Sequence, residues 1–286
     1  MTGLIDGARR AARPERRAIA LLAVALLVIL TLATSLAGCA RSAGGITVAG
    51  STSVQPFAEM LAEEYMALHT VERINVQGGG SSAGIEAVMS GAAEIGMSSR
   101  ELKGDERQLV RVEIARDAIA VVVHPSNPVR DLTLEQVRDI FSGRIAEWSA
   151  VGGPLRRIVV VTREEGSGTR GAFQEMVMGD VEVDAGALVQ DSNGAVRQLV
   201  SGDPNAIGYI SLGLVNREVK AIWIDGVEPT AENVSTDRYR LVRPFIFVLR
   251  SMPTEGTVRA FIDYVLSPEG QRELAHEGLL GPSVRR

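Results

Sequence analysis

IVVVTREEGSGTR, residues 158–170, joins a short apolar run to a segment rich in glycine, hydroxyl groups and charge. The β-branched residues 158–162 are typical of a strand buried in a parallel sheet. Phe173, Met176 and Val177 follow at helical spacing, which predicts a helix that begins in the last residues of the stretch. The sequence therefore predicts a strand, a tight turn and a helix N-terminus in immediate succession.

The turn has the chemistry of an anion-binding site. The first N–H groups of a helix have no partner within the helix and lie at its positive dipole end. Glycines let the backbone approach an anion closely, and Arg163 can donate two parallel hydrogen bonds to an oxyanion. The alternative interpretation is a glycine-capped turn in which Arg163 pairs with Glu164 or Glu165.

The first residues have the features of an export signal rather than of a folded domain. A basic segment with five arginines precedes an uncharged apolar run, residues 18–32, that is too short and wrongly flanked for an ordinary membrane span. Residues 36–39 read LAGC and resemble a bacterial lipobox, in which the cysteine sulfur receives a diacylglyceryl group. We expect a signal peptide over residues 1–38, lipidation of Cys39 and a tether over residues 39–45.

Cysteine and histidine usage bears on disulfides, metals and cofactors. Cys39 is the only cysteine, so no disulfide bond and no cysteine-based metal site are available. The alternative to a lipidated Cys39 is a buried cysteine in a signal anchor. Residues 16–17 weakly resemble a twin-arginine export signal. His69, His124 and His276 are scattered without metal-ligand spacing. We expect neither metal nor cofactor.

The charge of the chain argues against nucleic acid as a partner. Residues 1–38 hold five arginines against Asp6 and Glu15, which leaves −8 for the rest of a chain whose total is −5. An acidic body without a basic run is unlike a nucleic-acid-binding surface. Because the overall field repels an anion, short-range, desolvated hydrogen bonds must hold it.

A strand, a serine-rich turn and a helix recur in the first part of the body. Strands are predicted over residues 46–49, 74–77 and 93–97. The turns that follow them are residues 50–53, 78–82 and 98–100. Ser53 is predicted to cap the first helix, whose apolar face ends at Leu68. Ligands bind beyond the carboxyl ends of strands in open parallel sheets, so these hydroxyl-bearing turns are expected to share one site with the 158–170 turn.

The second part of the body continues the α/β pattern. Residues 117–123 read as an apolar strand, residues 133–136 as a helix capping box, and Trp148 as a core residue. Residues 245–249 read as a strand that returns to the first sheet. Residues 267–268 (SP) are predicted to end the final helix.

Several short motifs occur in a fixed order from about residue 46 to the C-terminus. They are Gly50–Val54 (GSTSV), Gly78–Ser81 (GGGS), Ile95–Arg100 (IGMSSR), Ile140–Ile145 (IFSGRI) with Trp148, Arg163–Arg170, Ile207–Ile210 (IGYI) and Ser267–Gly270 (SPEG). In these motifs the chain resembles the phosphate-binding proteins of bacterial phosphate ABC transporters. The resemblance implies an α/β fold of the type II periplasmic-binding-protein class, with two doubly wound sheets in two lobes, two crossovers, and the ligand in the cleft between the lobes.

The resemblance also implies a division of the chain and a set of partners. The first lobe would contain residues 46–120 and 230–286, and the second lobe residues 121–229. The expected ligand is inorganic phosphate, and the expected protein partner is an ABC permease. The protein would be an extracytoplasmic monomer, anchored to the cell membrane through Cys39.

The residues that hold the phosphate are implied by position. They would be Thr52, Ser53, Ser81 and Ser99 from the first lobe, and Arg163, Ser167, Gly168 and Thr169 from the second. Hydroxyl and backbone N–H groups would supply most of the hydrogen bonds and Arg163 the charge, with Glu165 steadying Arg163. No catalytic residue is expected.

Ser99 departs from the family pattern. Many members carry an aspartate there, which accepts the proton of hydrogen phosphate and repels sulfate. A serine provides no such repulsion. We therefore expect either weaker selectivity for phosphate over sulfate or a second acceptor, such as Asp117 or Glu164.

Two alternative functions remain open. Gly80–Gly84 (GSSAG) matches the G-x-S-x-G elbow of serine hydrolases, with Ser82, an acid and His276 in the required order. An elbow follows a central strand of a sheet, but only two strand candidates fit between Cys39 and this motif, so we expect no enzyme. The other alternative keeps the fold and makes the protein an extracytoplasmic phosphate or oxyanion sensor or scavenger that contacts no transporter.

Overall fold

The computed structural model describes residues 45–283. The predicted signal peptide, Cys39 and most of the predicted tether lie outside these residues. The first strand begins at Gly45, so the last residue of the predicted tether belongs to the fold. Between residues 45 and 283, every helix is too short or too polar to cross a membrane.

Strands alternate with helices through most of the chain. In chain order, the strands are β1 (Gly45–Gly50), β2 (Arg73–Gly78), β3 (Ile95–Ser98), β4 (Val110–Val123), β5 (Asp131–Leu132), β6 (Val159–Arg163), β7 (Leu188–Gln190), β8 (Ala206–Ser211), β9 (Lys220–Ala221), β10 (Trp223–Ile224) and β11 (Val242–Leu249). The α-helices are α1 (Gln55–Leu68), α2 (Ser81–Ser90), α3 (Leu134–Phe141), α4 (Gly168–Phe173), α5 (Asn193–Gly202), α6 (Ala231–Ser235), α7 (Thr257–Leu266) and α8 (Pro268–His276). Short 3-10 helices cover Gly104–Gln108, Trp148–Val151 and Leu212–Leu214, and a π-helical turn covers Gln174–Met178.

The first lobe is built on the predicted strand–turn–helix repeats. β1 lies between β2 and β3 and pairs with both in parallel, and β11 pairs with β3 in the antiparallel direction. Phe57, Leu61 and Tyr65 of α1 are buried in the first core. Leu68, predicted to lie on the same face, is 72% exposed because α1 ends there. The serine-rich turns therefore lie at the carboxyl ends of β1, β2 and β3.

β4 runs through both lobes. Up to Ala118 it pairs with β11, and from Ile119 it pairs with β8. The sheet path is continuous as a result, in the order β2-β1-β3-β11-β4-β8-β6-β7. The predicted strand over residues 117–123 is the second half of this longer strand, and the chain passes between the lobes inside it.

The second lobe is built around β6, which pairs in parallel with β7 and β8. Its core includes Trp148, Phe173 and Tyr209, so the prediction that Trp148 is a core residue is confirmed. The rings of Phe173 and Tyr209 are stacked with centroids 4.0 Å apart. The predicted capping box is present at the start of α3, where Thr133 and Gln136 bond each other's backbone N–H groups.

The return passage to the first lobe lies close to β11. Val234, Tyr239 and Leu241 belong to the core of the second lobe, and Val242 begins β11. We therefore propose that the first lobe resumes after residue 241 rather than at the expected boundary at residue 230.

The C-terminal part contains one more helix than the sequence pattern predicted. Residues 267–268 end α7, as predicted, but they also begin α8. Ser267 Oγ accepts a hydrogen bond from Gly270 N–H at 3.2 Å, and Pro268 occupies the first turn, where its missing N–H removes no helical bond. A Ser-Pro pair is thus both a stop signal and a start signal.

Candidate functional site

The stretch 158–170 folds as predicted. β6 ends at Arg163 and α4 begins at Gly168. Ser167 Oγ accepts a hydrogen bond from Arg170 N–H at 3.2 Å and so caps α4. Arg170 Nη1 donates to Arg163 O at 2.9 Å, which ties the start of the helix to the end of the strand.

Predicted site residues from the two lobes bond directly to each other. Ser53 Oγ lies 2.7 Å from Thr169 Oγ1, and Arg163 Nη2 donates to Thr52 Oγ1 at 3.1 Å. Thr52 and Ser53 follow β1 in the first lobe, whereas Arg163 and Thr169 follow β6 in the second. These hydrogen bonds therefore span the cleft, and the lobes are in contact at the predicted site.

A cluster of buried serines from the first lobe faces the N-terminus of α4. Ser51 Oγ donates to Ser99 Oγ at 2.9 Å, Ser99 N–H donates to Ser81 Oγ at 3.1 Å, and Ser81 Oγ lies 3.5 Å from Ser99 Oγ. A Cβ atom on Gly168 would overlap Ser81 Oγ and lie 2.6 Å from Ser99 Oγ. Only glycine allows this approach of α4 to the serine cluster.

Arg163 is a buried arginine whose hydrogen bonding is incomplete. Its side chain is 1% exposed. Nε and Nη2 donate to the two carboxylate oxygens of Glu164 at 2.9 Å each and also to the backbone carbonyls of Gln190 and Asp191. Nη1 is buried and has no hydrogen-bond partner among residues 45–283. Because buried N–H groups are almost always paired, Nη1 is a donor for an acceptor from outside this part of the chain.

Glu164, and not Glu165, steadies Arg163. The alternative interpretation of the sequence, an Arg163–Glu164 pair, is observed, but it leaves Nη1 of the guanidinium for another group. Glu165 is exposed and forms no part of this pair. The prediction that gave the steadying role to Glu165 is therefore wrong.

Ser53 does not cap α1, contrary to prediction. The N-cap of α1 is Val54, without a side-chain hydrogen bond. Ser53 Oγ instead bonds Thr169 and accepts a hydrogen bond from Asn193 Nδ2 at 2.8 Å. Asn193, at the start of α5, was not among the predicted site residues. A buried amide beside a helix N-terminus at the carboxyl end of a strand is the signal that could have identified it.

A second buried arginine lies where the chain crosses between the lobes. Arg243 Nη2 and Nε donate to Asp117 Oδ2 at 2.9 and 3.1 Å, and Ser211 Oγ donates to Asp117 Oδ1 at 2.8 Å. Burial raises the pKa of the Asp117 carboxyl, while the Arg243 guanidinium and the Ser211 hydroxyl act in the opposite direction. Asp117 and Glu164, the two candidate acceptors for a ligand proton, are each committed to an arginine.

Ser82 and His276, the residues of the alternative hydrolase interpretation, have different surroundings. The motif follows β2, which is at the edge of the sheet. Ser82 Oγ accepts from Arg100 Nη2 at 3.2 Å, and Ser82 N–H donates to Gly166 O across the cleft at 3.1 Å. His276 is 72% exposed and lies 3.6 Å from Glu273. In the described part of the chain, no group of three or more His, Cys, Asp or Glu side chains could hold a metal ion.

Comparison with known sequences gives consistent matches over the folded part of the chain. The family model described as "PBP superfamily domain" matches residues 37–269. The "Phosphate-binding protein PstS" of Bacillus subtilis (strain 168) is 33% identical over 239 residues, which cover 82% of this chain and 79% of that protein. The protein of the same name from Borreliella burgdorferi is 26% identical over 249 residues, which cover 82% of this chain and 89% of that protein.

Solved structures match over the same share of the chain. A Clostridium perfringens protein, assigned as a phosphate ABC transporter substrate-binding protein and solved with bound phosphate, has 45% identity and a TM-score of 0.81, with 84% of this chain and 100% of that chain covered. An ABC-type phosphate transport receptor from Vibrio cholerae has 38% identity and a TM-score of 0.70, with 83% and 100% covered.

Proposed function

We propose a function on the premise that the chain belongs to the PBP superfamily and, within it, to the family of phosphate-binding proteins. The protein is an extracytoplasmic receptor that captures inorganic phosphate and delivers it to the permease of an ABC transporter. Relatives with this role in their names, and a similar structure with bound phosphate, support the proposal.

Arg163 supplies the single observation that carries the proposal. Its guanidinium is buried at the carboxyl end of β6, beside a helix N-terminus, and its Nη1 amino group has no partner among the described residues. A buried cation with an unused donor is stabilised by an oxyanion, because charge-assisted hydrogen bonds are the strongest that the site can form.

The phosphate would be held by groups from both lobes. We assign this role to Thr52, Ser53, Ser81, Ser99, Arg163, Ser167, Gly168 and Thr169. The four residues of the first lobe would contribute hydroxyl groups. The backbone N–H groups at the start of α4 would donate hydrogen bonds from the positive end of the helix dipole. The observed contacts between the lobes support this assignment, because they bring all these elements to one place.

The receptor would bind phosphate without catalysing a reaction. Open lobes admit the anion, and closure removes water, which strengthens every charge-assisted hydrogen bond in the site. The permease would then recognise the closed form. Ser82 Oγ is hydrogen-bonded to Arg100, and His276 is exposed beside Glu273, which supports a receptor over a hydrolase.

We also propose that the receptor is a monomer attached to the membrane through a lipid on Cys39. The mass of the mature protein, extracted with detergent, would show a diacylglyceryl group. Replacement of Cys39 by Ser would release the protein from the membrane.

Calorimetric titration of the chain that begins after Cys39, stripped of bound anion, tests the proposal. We expect tight one-to-one binding of phosphate. Arg163→Ala should weaken it by about 1,000-fold or more, because it removes the buried charge and the Nη1 donors, whose charge-assisted hydrogen bonds are worth about 1.5–3 kcal/mol each. Arg144→Ala is the matched control, since Arg144 is a 62% exposed arginine of the same lobe.

Unchanged phosphate binding in Arg163→Ala would overturn the site assignment. Phosphate uptake by membrane vesicles containing the cognate permease separates the transport receptor from a sensor or scavenger. The receptor stimulates uptake, whereas a sensor or scavenger binds phosphate and leaves uptake unchanged.

A further inference from the structure

Asn193 forms hydrogen bonds to residues of both lobes. It is 1% exposed and is the first residue of α5. Its Oδ1 accepts a hydrogen bond from Ser211 N–H at 3.1 Å, and its Nδ2 donates to Ser53 Oγ at 2.8 Å. Asn193 and Ser211 belong to the second lobe and Ser53 to the first, so the amide bonds a site residue across the cleft.

The orientation of the Asn193 amide follows from its partners. A backbone N–H can only donate, so the atom facing Ser211 N must be the carbonyl oxygen. The amino group of Asn193 must therefore face Ser53 and donate to it. Ser53 Oγ receives this hydrogen bond and has to direct its own hydroxyl hydrogen elsewhere.

Two directions remain for the hydroxyl hydrogen of Ser53. One leads to Thr169 Oγ1, 2.7 Å away, and either of these hydroxyls can donate to the other. The other direction leads to the anion site. When an anion is present, Thr169 can donate to Ser53, and Ser53 then donates to the anion.

The partner of the Asn193 amide is itself fixed. Ser211 Oγ donates to Asp117 Oδ1, and Asp117 is paired with Arg243. Asp117 and Arg243 are directly opposite on β4 and β11, next to the point where β4 passes between the lobes. The hydrogen-bond chain from the crossover to Ser53 therefore runs through Asn193.

We propose that Asn193 is a positioning residue, which directs the hydroxyl hydrogen of Ser53 to the bound phosphate and bonds the two lobes together in the closed form. This inference rests on the proposed function of the site. Asn193 acts through Ser53 and needs no contact with the phosphate itself. It makes Ser53 a donor and thereby favours a ligand oxygen without a proton at this position.

Replacement of the amide by a carboxylate is the most direct test. In Asn193→Asp, one carboxylate oxygen still accepts from Ser211 N–H and the other accepts from Ser53, which takes the hydroxyl hydrogen away from the phosphate. In Asn193→Ala, the bond across the cleft is lost but Ser53 can still donate. We expect phosphate binding to weaken about 10-fold in Asn193→Ala and about 100-fold or more in Asn193→Asp.

Two controls separate positioning from charge and from folding. Asn216→Asp adds the same charge at an exposed position of the second lobe and should change phosphate affinity less than about twofold, because exposed charges are screened. Circular dichroism shows which variants are folded. If Asn193→Asp does not fold, Asn193→Ala and Ser53→Ala carry the test.

A double-mutant cycle tests whether Asn193 acts through Ser53, and the larger loss in Asn193→Asp than in Asn193→Ala is the readout that a merely structural role would not produce. If Asn193 acts through Ser53, adding Asn193→Ala to Ser53→Ala weakens phosphate binding by no more than about twofold further. Multiplicative losses in the cycle overturn the inference, as does equal binding by Asn193→Asp and Asn216→Asp. Absence of phosphate binding by the unmodified protein, or its persistence in Arg163→Ala, overturns the proposed function instead.

Discussion

Arg163 and Arg243 are two buried arginines with similar immediate bonding and different surroundings. Each side chain is 1% exposed, each pairs with one carboxylate, and each leaves Nη1 without a partner among residues 45–283. The Glu164 side chain, which pairs with Arg163, is 30% exposed, whereas the Asp117 side chain, which pairs with Arg243, is 1% exposed. The Arg243 guanidinium also lies over the Phe245 ring, 5.4 Å from its centroid.

The difference supports the proposed roles, in which Arg163 binds the ligand and the Asp117–Arg243 pair stabilises the fold. Water solvates part of the Glu164 carboxylate, so the charge of Arg163 is less completely neutralised within the protein. Asp117 and Arg243 neutralise each other out of contact with water, between strands that join the lobes. The exposed fraction of an arginine therefore indicates its role only together with the exposed fraction of the carboxylate that pairs with it.

The largest expected effect comes from breaking the pair at the crossover. Arg243→Ala leaves the Asp117 carboxylate buried without its cation and should lower the free energy of unfolding by about 3–5 kcal/mol. Arg163→Ala leaves the partly exposed Glu164 carboxylate, which water can solvate, and should change stability much less. Chemical denaturation of both variants measures the difference.

Replacing both partners is the control for this prediction. Arg243→Met with Asp117→Leu removes both charges and should recover most of the lost stability, because apolar side chains can substitute for a buried ion pair. If Arg243→Ala and Arg163→Ala are equally stable, the distinction between the two arginines is wrong.

The next largest effect should come from the contact between α4 and the serine cluster. In Gly168→Ala, the added methyl group overlaps Ser81 Oγ and crowds Ser99 Oγ, so the lobes cannot close fully. We expect phosphate affinity to fall about 100-fold, which corresponds to about 2.7 kcal/mol, with little change in thermal stability. Gly202→Ala is the matched control, because a Cβ atom there would meet open space.

Competition between sulfate and phosphate tests whether the Asp117 or Glu164 carboxylate accepts the proton of the ligand. Because Asp117 and Glu164 are both committed to arginines and Ser99 carries no charge, we expect sulfate to compete with phosphate at about 10- to 100-fold excess. Calorimetric titration of phosphate in the presence of sulfate measures this. Absence of competition at large excess would show that another group in the site accepts the ligand proton.

The smallest effect is expected at a third arginine, Arg100, which lies nearer the surface. Its hydrogen bond holds the pKa of Glu106 below the usual value of 4.5, and the two side chains are 9% and 23% exposed. A depressed carboxyl pKa adds stability above the unfolded pKa, and this stability is lost as pH falls through the folded pKa. Glu106→Gln should lower stability at pH 7 by less than about 1 kcal/mol. Thermal melts of both proteins should converge as pH falls through the lowered pKa of Glu106, and a constant difference would contradict the prediction.

Local sequence patterns predicted the elements that lie within a single strand, turn and helix. The strand before Arg163, the helix start within residues 167–170, the capping box at Thr133 and the burial of Trp148 all depend on residues close together in the chain. The family resemblance extended these predictions to the two-lobed fold. Patterns of this kind are readable because backbone hydrogen bonding and apolar spacing repeat over a few residues.

Local sequence patterns did not predict the contacts between segments that are distant in the chain. Ser53 was predicted as a helix cap because its neighbours in sequence favour one, but Thr169 and Asn193 offer it partners across the cleft. Glu165 was predicted to steady Arg163, but Glu164 forms the pair. Each alternative was chemically reasonable, and only the positions of the other lobe's groups distinguish them.

The sequence by itself determined the α/β character of the body, the strand, turn and helix start at residues 158–170, and the family. The tertiary structure alone decided the long course of β4, the Asp117–Arg243 pair and the hydrogen bonds of Asn193. These features join residues about a hundred or more positions apart, as in the hydrogen bonds of Asp117 with Arg243 and of Ser53 with Asn193. Their geometry depends on how two separately packed cores meet, and no local spacing in the chain encodes that meeting.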